Sequence, residues 1–213
     1  MARLDPSWIV SAADYERVRD VYRRAVSSAR TLRRLRLGGS CSLQFETPEF
    51  ALWHVQELLR VEGWSLPRLR RTVDDVRPWC PRPGELVGTL MVDTNDPALG
   101  RSIALALARP GAVVLRAGTV AIRSETVEAG FPGDPVWYVR WRVSPSWHAS
   151  LPSGCTCATA WDDALYTLPG ATRAALGTDL IEGAGPGQPL LHRLLESTQR
   201  HVQSECPRHE ARP

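Results

Sequence analysis

Residues 41–63, "CSLQFETPEFALWHVQELLRVEG", change periodicity partway along. Cys41 to Glu46 alternate in the manner of a short strand. From Pro48, a residue suited to the first turn of a helix, apolar positions recur at helical spacing instead. Inside that helix the polarity is odd. His54 and Glu57 stand one turn apart among Phe50, Trp53, Leu58, Val61 and Trp64.

The neighbouring stretches extend the same reading. Upstream, residues 11–36 read as one helix, with Ser11 as N-cap, Asp14 at the capping-box position, and Val18, Val21, Tyr22, Ala25, Ala29 and Leu32 at helical spacing. Gly38 and Gly39 end it. Downstream, residues 66–76 are a further helix, and "RPWCPRPG" (77–84), with its three prolines, is a loop. "ELVGTLMVD" (85–93) is a strand, and Asp96 caps a helix running to about Arg109. "AVVLRAG" and "TVAIRSETV" are two strands about a Gly118 turn. "PVWYVRWRV" (135–143) is a strand dense in aromatic and β-branched residues. "CTCATAWDDALYTLP" is a strand pair, and residues 170–181 are a helix. Helices first and antiparallel strands later predict an α+β fold, with N-terminal helices packed on a mostly antiparallel sheet. Residues 1–182 form the single domain. Residues 183–213 are a linker and a polar C-terminal tail containing a short helical segment.

The chain has 213 residues, 43% apolar and 23% charged, so a sizeable core is expected and disorder is not the default. Every basic residue is Arg. That excludes Schiff-base, phosphate-loop and general-base lysines. Net charge is only +3, the arginines of the first helix spread around its wheel, and no aromatic platform accompanies them, so a nucleic-acid partner is not expected. Five cysteines without a CxxC pair argue against a disulfide framework. No apolar run approaches the roughly 20 residues of a membrane span, and the N-terminus lacks a signal-peptide core. The expectation is a cytoplasmic protein that does not enter a membrane.

At about 100° per residue, His54 and Glu57 lie about 60° apart on the wheel, with Trp53 and Trp64 flanking Glu57. A carboxylate in that setting needs a partner, a metal or a proton. Two readings follow. In one, Glu57 bonds an Arg of the first helix, such as Arg23 or Arg30, and His54 bonds a carbonyl. In the other, His54 and Glu57 are catalytic, and Glu46, His54, Glu57 and Glu62 together hold a divalent metal, a His–carboxylate set that suits non-haem iron. Cys155 and Cys157 share a strand face and with Cys80 or His148 would make a soft metal site, although two small buried residues are the plainer reading. Trp137 and Trp141 also share a face and would wall a pocket for a flat ligand or a haem, against a default of core packing. No GxSxG, GxGxxG after a strand, phosphate loop or HExxH is present.

The segments "ADYERVRDVYRRAV", "SLQFETPEFALWHVQELLRVEG", "PGELVGTLMVD" and "LYTLPGATRAALGTDL" resemble the bacterial family known as domain of unknown function 3501. The resemblance spans about residues 9–182 and is carried best by Phe45-Glu46 and by Gln56-Glu57-Leu58-Leu59-Arg60. Family members tend to be encoded beside rubrerythrin-like and iron–sulfur oxidoreductase genes, which implies redox or iron chemistry by association. His54 stands where the family more often has Gln. With the polar pair, the resemblance leads to a small-molecule redox enzyme with a His/carboxylate pocket that uses iron, another divalent metal or haem. Trp53, Gln56, Arg60, Trp137 and Trp141 are expected to contact substrate, and a redox protein is a candidate partner. The alternative is a non-catalytic accessory partner of an oxidoreductase complex.

Overall fold

A computed structural model of the chain describes residues 4–63, 65–128, 135–182 and 188–205. Helix α1 (Ala12–Thr31) starts where Ser11 Oγ accepts the Asp14 N–H at 3.1 Å and donates to the Asp14 carboxylate at 2.8 Å. It ends earlier than its periodicity predicts. Arg34–Leu37 is strand β1, with Leu35 and Leu37 buried and Arg34 and Arg36 exposed. It turns through Gly38, at φ 66°, into β2 (Cys41–Phe45). Next come α2 (Pro48–Glu62), α3 (Leu66–Val76), β3 (Glu85–Val92) and α4 (Pro97–Leu107). Strands β4 (Val113–Ala117), β5 (Val120–Arg123), β6 (Glu125–Glu128) and β7 (Val136–Arg142) follow. The chain continues through α5 (Pro145–Ser150), β8 (Cys155–Thr159), β9 (Leu165–Thr167), α6 (Gly170–Glu182) and α7 (Leu190–Glu205). The single strand expected over 119–127 is two, because Ser124 breaks it. Its backbone N–H donates to the Val113 carbonyl at 2.9 Å, its Oγ accepts the Val113 N–H at 3.1 Å, and the strands on either side join different sheets.

The fold is α+β, as expected. One sheet has the order β1-β2-β3-β7-β6 and the other β5-β4-β8-β9, with antiparallel pairing throughout the described residues. Residues of both sheets meet in one core: Leu43, Leu90 and Trp141 from the first, Leu115 and Cys157 from the second, and Trp147 of α5. Trp141 Nε1 donates to the Val113 carbonyl at 3.1 Å, which ties the sheets together through a buried aromatic. Gly88 makes room for that ring, because a Cβ there would lie 2.5 Å from Leu43 Cδ1 and 3.1 Å from Trp141.

A second core lies among the helices, where Tyr15 and Tyr22 of α1 meet Leu52, Val55 and Leu59 of α2, and Leu69 and Val73 of α3. Helix α7 belongs to it. Leu191 and Leu195 are buried there, so this part of the expected polar tail is packed structure. Residues 206–213 lie outside the described residues.

Between the helices and the first sheet the contact combines polar bonds with one aromatic stack. Gln44 Nε2 donates to the carbonyls of Arg30 and Arg33, each at 3.3 Å. Trp79 stacks on Tyr138 of β7, with centroids 4.3 Å apart and planes 5° from parallel. Arg140 Nη2 donates to the Pro78 carbonyl at 2.9 Å. Buried polar groups are tolerated because they find partners, and those partners fix how the helical layer sits. Among the described residues no helix is long and apolar enough to cross a membrane.

A candidate ligand pocket between helices and sheet

The expected site residues fall into separate settings. Glu57 accepts two bonds from Arg19, Nε to Oε1 at 2.8 Å and Nη2 to Oε2 at 3.0 Å, and a third from the Tyr15 hydroxyl at 2.7 Å. Burial pushes its carboxyl up, but the Arg19 and Tyr15 bonds outweigh burial and hold it below the usual range. The partner is an Arg of α1, one turn or more before the two expected. Gln56 is buried and clamps Val10 from both sides, accepting its N–H at 3.1 Å and donating to its carbonyl at 3.0 Å. Arg60 donates to Glu16 at 2.5 Å, and Glu62 pairs with Arg68 at 3.5 Å.

His54 is exposed, with its ring edge-on to Trp79 at 6.0 Å and 60°. Desolvation and then the nearby Arg30 charge lower its pKa. Arg30 itself lies over the Trp53 ring at 5.4 Å and the Phe50 ring at 5.8 Å. Trp137 and Trp141 share a face as parity predicts, but that face is the core between the sheets. Cys155 and Cys157 also share a face and are buried in the same core, while Cys80 lies in the helical core. Burial pushes both thiols of the Cys-Thr-Cys pair up to about 12. Among the described residues, no three His, Cys, Asp or Glu side chains gather where one metal ion would bind. Trp64 lies outside the described residues.

Glu46 is different. Its N–H donates to the Val87 carbonyl at 2.8 Å, so its backbone still runs with the sheet while its side chain turns to the helical layer. Thr47 then caps α2, its Oγ1 accepting the Phe50 N–H at 3.2 Å, Pro48 opens the helix, and Glu49 falls in the first turn, where the positive helix end favours an acid. Four consecutive residues thus set two carboxyl groups at one corner of a cavity of about 340 Å³. That is near the lower limit for small-molecule sites. Helix α1 contributes Val26 and Ala29 to the wall, the turn after it Arg33, the segment before β3 Pro81 and Arg82, and the start of α7 Leu190 and Arg193.

Thr89 Oγ1 donates to Glu46 Oε1 at 2.6 Å. Burial raises the Glu46 carboxyl above the usual carboxylate range, against the Thr89 bond and the Arg30 charge, which both pull it down. Glu49 Oε2 accepts the Leu190 N–H at 3.0 Å and so caps α7 from outside that helix. Arg33 is committed to Asp179 of α6 by two bonds, at 2.8 and 2.7 Å. Glu49 and Thr89 were not among the residues expected from sequence. Glu49 carried a signal, an acid directly after Pro48 at a helix start, whereas Thr89 is recognisable only once β3 lies beside β2.

A crystal structure of a protein from Burkholderia pseudomallei, described as a novel protein of unknown function, shares this fold with a TM-score of 0.71 and 17% identity. The match covers 81% of this chain and 96% of that one. No curated protein matches the chain. A family described as "Protein of unknown function (DUF3501)" matches residues 3–180, which takes in α1 to α6 nearly to their end and stops short of α7.

Proposed function

The chain belongs to the DUF3501 family, and we propose that it is an enzyme that holds a small molecule against the corner at residues 46–49 and uses Glu46 as its acid–base group. The observation that carries this reading is the Glu46 carboxyl itself: it lines the cavity, is half-buried there, bonds Thr89, and is raised above the ordinary range by burial. A carboxyl shifted toward neutrality exchanges a proton more readily at a working pH near 7. Thr89 occupies Oε1, which leaves Oε2 to take or give the proton. The Arg30 charge favours the carboxylate once the proton has left.

The iron, haem and redox part of the expectation rests on the family's gene neighbourhood. The residues do not fit a shared metal centre. Glu57 is bonded to Arg19 and Tyr15, Glu62 to Arg68, and His54 stands beside the Arg30 cation. The accessory-partner reading gains from one observation: the Gln56-Glu57 pair is fully engaged in fastening α2 to the N-terminal segment and to α1.

The test is a ligand-observed NMR screen of small acids, amines and neutral compounds against the purified chain, followed by mass spectrometry for turnover of each binder. The expected result is a binder that the wild type converts and Glu46→Gln converts at least about 100-fold more slowly while still binding it. Absence of any binder, or wild-type turnover by Glu46→Gln, overturns the proposal.

A further inference from the structure

Helix α7 lies outside the span matched by the family, yet it builds part of the pocket wall. Gln188, Pro189, Leu190 and Arg193 all line the cavity. The helix is fastened at three kinds of contact. Its first N–H is capped by Glu49, one of the two carboxyl groups at the site. His192 Nε2 is 2.9 Å from the carbonyl of Trp8, another wall residue. Leu191 and Leu195 are buried in the helical core against α1. The wall segment is therefore held by both the site and the core.

We infer that α7 is a cap that determines which ligands reach Glu46 by size, so that a narrow molecule enters with α7 docked and a bulky one does not. This rests on the pocket reading above. It does not require the substrate to be known, because the cap acts on any molecule that approaches Ala29, which lines the cavity on α1. The geometry also couples cap and site. The same Glu49 that lines the cavity holds the first turn of α7 through its Oε2.

The experiment places a thiol in the pocket with Ala29→Cys and compares its labelling by N-ethylmaleimide and by a bulky fluorescein maleimide, with the modified site located by mass spectrometry. Taking the ratio of the two rates cancels the intrinsic reactivity of the thiol. In the full chain the small reagent is expected to win by at least tenfold beyond its advantage on a free peptide thiol. Adding Leu195→Asp, which undocks α7, brings the ratio down to that of the free peptide. Should that variant fail to fold, Leu191→Ala removes a buried contact of α7 without changing a residue of the cavity wall, and lowers the ratio by at least about fivefold. A ratio that equals the free-peptide value with α7 intact, or that does not change in the folded undocking variants, overturns the inference. Neither outcome depends on the ligand screen. A chain that binds no small molecule but shows the size effect would overturn only the enzyme reading, and a chain that binds ligands without the size effect would overturn only the cap.

Discussion

Replacing Glu57 by Gln keeps the side chain's shape and removes its charge. In the folded protein the carboxylate receives two bonds from Arg19 and one from Tyr15. A glutamine whose amide oxygen takes the Oε1 position keeps the Tyr15 and Arg19 Nε bonds but turns its N–H₂ toward Arg19 Nη2, donor against donor, and it loses the charge that strengthened all three. Hydrogen bonds to charged groups contribute about 1.5–3 kcal/mol each. Side-chain exposure of 19% for Arg19 and 21% for Glu57 lets water offset part of the loss, so the full penalty of a broken buried pair is not reached. The expected destabilisation at pH 7 is about 1–2 kcal/mol. Its pH dependence has a definite sign. The folded pKa of Glu57 lies below the unfolded value of about 4.3, so its contribution is complete above that value and is lost as pH falls through the folded pKa. Urea unfolding at pH 7 and in acid measures both. A Glu57→Gln protein as stable as the wild type at pH 7 would refute the reasoning, as would a gap that fails to narrow in acid.

Three further outcomes follow from the same geometry. Glu46→Gln is expected to be neutral or stabilising at pH 7, the opposite sign from Glu57→Gln, because a carboxyl raised by burial costs the fold more as pH climbs above about 4.3; unfolding curves across pH check it. Gly88→Ala forces a Cβ into Leu43 and Trp141 and should cost about 1–3 kcal/mol of overpacking, read as a lower urea midpoint. Elemental analysis of protein purified without chelators should show no stoichiometric iron at Glu46, His54, Glu57 and Glu62, because among the described residues these side chains do not gather round one point; one iron per chain would restore the metal reading.

Much of the fold is legible in the sequence where one period runs unbroken. The switch inside residues 41–63 marks β2 and α2 to within a residue, because the strand alternates to its end and Pro48 starts the helix. The overrun of α1 has a physical cause. Arg34 and Arg36 are exposed on a helix or on a strand, so only Leu35 and Leu37 report the change to period two. Helix α5 has six residues, too few for a period to show. At the site, the sequence shows that Gln56 and Glu57 are polar groups on an apolar face, and the structure supplies their partners through long-range contacts with Val10, Tyr15 and Arg19. Parity correctly puts Trp137 and Trp141 on one face but does not say which layer covers it. The pocket needs α7 folded back on α1, a contact that a Gly- and Pro-rich segment before it does not disclose.

Glu46 is the residue on which the functional account depends. Carboxyl-detected NMR titration of Glu46, in the wild type and in Thr89→Val, tests it most directly. A midpoint above the ordinary glutamate value of about 4.3 is expected in the wild type, and a higher one when the Thr89 hydroxyl is removed. A Glu46 that titrates at or below the ordinary value, and does not move in Thr89→Val, would contradict it.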